Sequence, residues 1–219
     1  MPGGGNPLVM PGVEQLQLCF GTGIHMVAHA IVAIGAASGG LEPLRRITER
    51  LPRNCMATVF VAMHSGMSSF LPDILSWHGI LPVDFARDGA AIEPGRIYVA
   101  PPDHHMSVSA QRIRLDQGPR IHSVRPAIDP LFASLARAYG SGVMGIVLSG
   151  AGSDGAAGLL EIEKHGGSVL VQDPREAASP SMPNAAIAAD SPECLSIDVI
   201  AERVARFCSQ TKVQPVLTK

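Results

Sequence analysis

Five short apolar runs recur along the chain, at 30–35 (AIVAIG), 57–63 (ATVFVAM), 97–100 (IYVA), 143–148 (VMGIVL) and 168–171 (SVLV), and segments of helical period separate them. Runs this apolar, without regular polar alternation, suit strands buried on both faces, and helices between them supply the covering layers. The pattern predicts an α/β domain of three layers, α/β/α, built on a doubly wound and largely parallel sheet. A helix is expected over 41–51, where Leu41, Leu44, Ile47 and Leu51 share a face and Pro43 falls in the first turn. A second is expected over 130–139, with Asp129 as N-cap, Pro130 at the first helical position, and Leu131, Phe132, Leu135 and Tyr139 facing inward. A third runs from Gly155 to Lys164 and is closed by a left-handed Gly166. The stretch 82–115 reads as short alternating strands around Asp88-Gly89 and Pro94-Gly95, a β-hairpin insertion.

Charge narrows the function classes. Lys and Arg number 17 against 19 Asp and Glu, for a formal charge of −2 without a dense basic run, so the phosphate-neutralising surface of a general nucleic-acid binder is missing. With 46% hydrophobic and 16% charged residues, the chain is too apolar to stay unfolded, and 219 residues suit one domain with short tails. That domain is expected over 29–210, after a poorly ordered Gly/Pro-rich extension at 1–28 and before a tail at 211–219. Cys19, Cys55, Cys194 and Cys208 form no CxxC pair and have no histidine at a zinc-ligand interval. They are read as reduced thiols of a cytoplasmic protein. No run of 18 apolar residues is present, so no membrane insertion is expected.

Three strand ends carry polar groups among small residues. The first run leads into GAASGG (Gly35 to Gly40), where Ser38 either caps the following helix or stands as a nucleophile beside its positive end. The second run ends on His64, a general base if exposed to substrate and a carbonyl-satisfied imidazole otherwise. The fourth enters VLSGAGSDGAAG (147–158), with Asp154 inside the loop. Asp154 admits a turn role or a place as third member of a triad, accepting the Nδ1 proton of His64. A rival reading comes from another class of protein: Gly150, Gly152 and Gly155 spell GxGxxG, with Asp173 roughly twenty residues on, as in dinucleotide sites.

The series VAIGAASGGLEPLRRI, APPDHH, RPAIDPLF, LSGAGSDGAAG and VQDPREAASPSMPNAAI, in that order from about Ala30 to Asp190, resembles the catalytic domain of the chemotaxis protein-glutamate methylesterases (CheB-type). The resemblance implies a carboxylic ester hydrolase of the cytoplasm, without metal or cofactor. It would remove methyl groups from glutamyl esters on chemoreceptor helices, and often deamidate glutamines there, through a Ser/His/Asp triad. His64 and Asp154 match the family histidine and aspartate. The family serine, in GAS followed by a small residue and GG, falls on Ala37, so Ser38 lies one residue late. Full-length relatives also carry an N-terminal phosphorylation module, which the roughly 28 residues before this domain are too few to build.

Overall fold

A computed structural model describes residues 30–64 and 70–210; the expected extension at 1–28 and tail at 211–219 lie outside the described residues. In chain order the elements are β1 (Ile31–Ala36), α1 (Leu41–Glu49), β2 (Thr58–Met63), α2 (Leu71–His78), β3 (Val83–Phe85), β4 (Ile97–Val99), β5 (His105–Ser109) and β6 (Arg112–Asp116). They continue with α3 (Ile128–Tyr139), β7 (Val143–Val147), α4 (Ala156–Lys164), β8 (Ser168–Gln172), α5 (Ser181–Asp190), β9 (Glu193–Leu195) and α6 (Ile197–Gln210). Seven strands form one sheet in the order β3-β4-β2-β1-β7-β8-β9, every neighbouring pair parallel. The five apolar runs are thus β1, β2, β4, β7 and β8, as their prevailing hydrophobicity predicts.

The alternation of β1 shows why it is apolar throughout. Val32, Ile34 and Ala36 join one core with Leu44 and Ile47 of α1 and Ile200 and Val204 of α6. Ile31, Ala33 and Ala37 join the opposite core with Leu131, Phe132 and Leu135 of α3 and Leu159 and Ile162 of α4. Because successive side chains leave a strand on opposite faces, only a strand apolar at every position can serve both cores. Where the helix approaches closely, the sheet uses glycine: a Cβ at Gly145 of β7 would lie 2.5 Å from Ile162 Cδ1.

Two expectations need correction. The 82–115 segment is not a hairpin around its DG and PG turns, since β3 and β4 enter the main sheet in parallel. The hairpin is β5-β6, closed by Ala110 and Gln111, both left-handed at φ 49° and 58°, the geometry of a type I′ turn. Asp129 does not cap its own helix either: the N-cap of α3 is Ala127, and Asp129 sits in the first turn. The close of α4 follows expectation, with Gly166 at φ 83° and the paired bonds Gly166 N–H to Glu163 O and Gly167 N–H to Ile162 O of a Schellman cap.

Candidate active site

The chain leaves β1 toward β2 on one side, and β7 lies on the other, so the order in which strands are added to the sheet reverses between β1 and β7. In an open α/β sheet the crevice beyond the carboxyl ends of the strands at such a point is where ligands bind. The turn after β1, His64 at the end of β2 and the loop after β7 meet there.

After β1, the chain makes a turn from Ala37 to Gly40, closed by Gly40 N–H donating to Ala37 O at 2.9 Å. Gly39, at the third position, has φ 76°, which an L side chain rarely adopts. Ala37, the first residue after β1, continues its hydrogen bonding toward β7: its N–H donates to Ser149 O, and it is 4% exposed. Ser38 occupies the outer corner and is exposed. It does not cap α1, whose N-cap is Gly40 with no side-chain bond. Its carbonyl accepts from Ser149 Oγ at 2.8 Å, while its hydroxyl makes no hydrogen bond among the described residues.

His64 follows β2 directly. Ala36 and Met63 are register partners, and His64 N–H donates to Ala36 O at 3.0 Å, so Ala37 and His64 sit side by side. Phe60 and Ala62 pack in the core shared with Ala37, and the alternation carries His64 to that same face. Asp154 arrives there from the β7–α4 loop, and its Oδ2 lies 2.8 Å from His64 Nε2. The expectation was contact at Nδ1; the ring is turned the other way. The carboxylate is itself anchored by backbone: Asp154 Oδ2 also accepts from Ile128 N–H at 2.7 Å and Oδ1 from Asp129 N–H at 3.0 Å. Nδ1 is then the ring nitrogen turned away from the carboxylate.

Asp154 is 2% exposed. Burial opposes its charge, but the His64 bond and the two N–H donors at the start of α3 outweigh it and hold the carboxyl below its ordinary range. Asp129 lies opposite in behaviour: burial, with the neighbouring Asp154 charge, pushes its carboxyl up despite bonds from Gly155, Gly158 and His122. Structure thus brings His64 and Asp154 together across 90 residues of sequence and leaves Ser38 at the adjacent turn, outside their hydrogen bond.

The dinucleotide reading fails on the same contacts. A pyrophosphate would need the N–H groups that open α4, yet Asp129 Oδ1 already accepts from Gly155 N–H at 2.9 Å and Gly158 N–H at 2.7 Å. A carboxylate there repels an anion. Asp173, the expected ribose acceptor, is instead held by Arg175 at 2.6 Å. His122, Asp129 and Asp154 bring ligand atoms within 4.8 Å of one another. Because both carboxylates are committed to backbone N–H groups, this trio is a poor cage for a cation.

Two further residues shape the site, and of these Ser149 is the one that sequence reasoning missed. Ser149, fully buried after β7, donates to Ser38 O and accepts from Ser179 N–H at 2.9 Å, and its own N–H is taken by Gln172 Oε1 at 2.9 Å. It ties the turn after β1 to the loop before α5. Met182 of α5 is the second: its Sδ would lie 2.1 Å from a Cβ at Gly150, so that glycine is needed for Met182 to pack. For Ser149 the available signal was position, a polar residue directly after the apolar run 143–148.

Comparison with known proteins identifies the family of the chain. The family model described as CheB methylesterase matches residues 32–204. A protein-glutamate methylesterase/protein-glutamine glutaminase of Anaeromyxobacter dehalogenans (strain 2CP-C) is 41% identical over 182 residues, 80% of this chain and 53% of that protein. One from Pyrococcus abyssi (strain GE5 / Orsay) is 36% identical over 166 residues, 73% of this chain and 45% of that protein. The chain thus spans about half the length of the curated relatives it matches. The crystal structure of the Thermotoga maritima CheB methylesterase catalytic domain superimposes with a TM-score of 0.78 at 30% identity, covering 82% of this chain and 99% of that one. With a matched family model across both cores and the His64–Asp154 pair, the chain belongs to the CheB methylesterase family.

Proposed function

We propose that this protein is a protein-glutamate methylesterase, hydrolysing glutamyl methyl esters, and by the same route deamidating glutamine, on methylated chemoreceptor helices in the cytoplasm. The observation that carries the reading is the buried 2.8 Å His64–Asp154 bond at the carboxyl edge of the sheet. In this account Ser38 is the nucleophile, the one hydroxyl of the GAASGG turn, exposed and unspent on capping. Its Oγ attacks the ester carbonyl while His64, through the nitrogen turned away from Asp154, takes the hydroxyl proton. Asp154 orients the imidazole and balances its positive charge. The tetrahedral intermediate collapses as His64 returns the proton to the departing methoxide, which leaves as methanol. Water then attacks the glutamyl-serine ester with His64 again as base, releasing the glutamate carboxylate and restoring Ser38. For glutamine the leaving group is ammonia.

A specific observation favours a second reading. Alternation places Ala37, without a hydroxyl, on the face of His64 and Asp154, and puts Ser38 at the corner of the turn. A nucleophile displaced by one residue loses alignment, and misplacement by about 1 Å costs roughly a hundredfold in rate. In this reading the domain holds a receptor glutamyl side chain without turning it over. Methanol release from methylated receptor by the natural protein, with Ser38→Ala and His64→Ala compared, separates them: turnover abolished in both variants supports the esterase. Absence of turnover in the natural protein supports the binding module.

A further inference from the structure

The two buried carboxylates of the site serve each other's helices. Asp154, in the loop that opens α4, takes the N–H groups of Ile128 and Asp129 at the start of α3. Asp129, in the first turn of α3, takes the N–H groups of Gly155 and Gly158 at the start of α4. The first turn of a helix leaves N–H groups without intrahelical partners, and a carboxylate there is favoured by hydrogen bonding and by the helix dipole. Here each helix borrows its acceptor from the other. The consequence is mechanical: α3 and α4 cannot shift relative to one another without breaking bonds to both carboxylates, and Asp154 cannot leave His64 without freeing Ile128 N–H in a buried site.

The surroundings have been shaped for this exchange. Gly155 is left-handed at φ 96°, which turns the loop so that its N–H faces Asp129, and Gly158 has no room for a side chain, since a Cβ would lie 2.6 Å from Phe132 Cβ. Close approach of the two helices is thereby enforced at the level of the bonds. The remaining oxygen of Asp129, Oδ2, is met by His122 Nε2 at 3.1 Å. Every oxygen of the carboxylate pair has a named partner.

We propose that Asp129 is a positioning residue for the acid–base pair: its carboxylate clamps the N-terminus of α4, and so fixes the Asp154 loop in the place where Asp154 meets His64. The role is distinct from catalysis, because Asp129 acts on His64 only through Asp154. It rests on His64 being the base of the proposed reaction, and its test reads a hydrogen bond in the free protein, so the two fail separately.

The test is solvent exchange of the His64 Nε2 proton, followed by NMR at neutral pH in the full chain, with core amides of β1 and β2 as the reference for global opening. Asp129→Ala removes both acceptors and should speed exchange at His64 by at least about tenfold relative to those amides, the factor that one or two lost hydrogen bonds allow. Asp129→Asn keeps Oδ1 as acceptor and should stay within about twofold of the parent. If Asp129→Ala does not fold, Asp129→Ser is read in its place; it is too short to take both N–H groups, and the same threshold applies. Unchanged exchange in the folded alanine or serine variant overturns the proposal. Equal acceleration in Asp129→Asn overturns it too, since that result assigns the effect to charge and not to the clamp. A parent that shows the protected proton but releases no methanol contradicts the esterase reading alone.

Discussion

Ala37 and His64 follow paired strand ends, Ala36 and Met63, and stand next to each other on the face of the sheet that Asp154 also reaches. The two positions that the sequence resemblance assigns to the family serine and histidine are thus neighbours in space, and the hydroxyl of Ser38 is one residue away from the first of them. Two substitutions measure what that displacement costs. Ala37→Ser should raise methanol release by about a hundredfold over the parent, the order that alignment of a reacting group controls. Ser38→Ala should abolish the parent's activity while leaving that of the Ala37→Ser, Ser38→Ala double variant intact. Initial rates on methylated receptor check both.

His64→Ala leaves Asp154 buried with two N–H donors but without its imidazole partner. Removing one partner of a buried charged bond exposes the desolvation cost of the other, so a loss of about 1–3 kcal/mol is expected in denaturant unfolding at neutral pH, along with loss of turnover. An inactive variant of unchanged stability would place Asp154 in a wetter setting than its 2% exposure indicates.

The two carboxylates should respond to pH in opposite senses. Asp154 is held below its ordinary range, so its stabilising contribution is full above the unfolded-state value of about 3.9 and is lost as pH falls through the lowered folded value. Asp129 is pushed up, so the fold favours its protonated form; that contribution is full below about 3.9 and is lost as pH rises through the raised folded value. At neutral pH Asp129 therefore carries a burial cost. Asp129→Asn should raise Tm at about pH 7 and do so less at about pH 3, whereas Asp154→Asn should lower Tm at about pH 7 with a smaller effect at about pH 3. Thermal unfolding of both variants across this range checks the signs.

Gly39→Ala tests the turn itself. The position has φ 76°, and a Cβ there would lie 2.5 Å from Ala178 Cβ and 2.9 Å from Ser149 Oγ. Strain of this kind costs about 1–3 kcal/mol, and the shift falls on the turn that carries Ser38. Reduced unfolding free energy together with reduced methanol release is the expected pair of results.

Much of this architecture could be read from residue order. β1, β2, β4, β7 and β8 are apolar through their centres because both sheet faces are covered, with polar groups only at the ends of β2 and β8, and that leaves a plain mark in sequence. His64 and Asp154 were visible as polar residues at strand ends, and the structure joins them. What stayed hidden was set by tertiary contact. The turn at Ala110 and Gln111 has no glycine to announce its left-handed backbone. Val83–Phe85 and Glu193–Leu195 are three-residue edge strands, too short for a period. Asp129 carries the pattern of a cap for α3, yet its carboxylate serves α4, because the partner N–H groups come from 26 and 29 residues away. Which ring nitrogen of His64 meets Asp154 likewise has no local sequence signal.

Methanol release from methylated chemoreceptor is the most direct measurement of the central claim. The account predicts release by the natural protein that is lost in Ser38→Ala and in His64→Ala. No release by the natural protein, with release appearing in Ala37→Ser, would contradict it and leave this chain a family member that binds the glutamyl side chain without hydrolysing its ester.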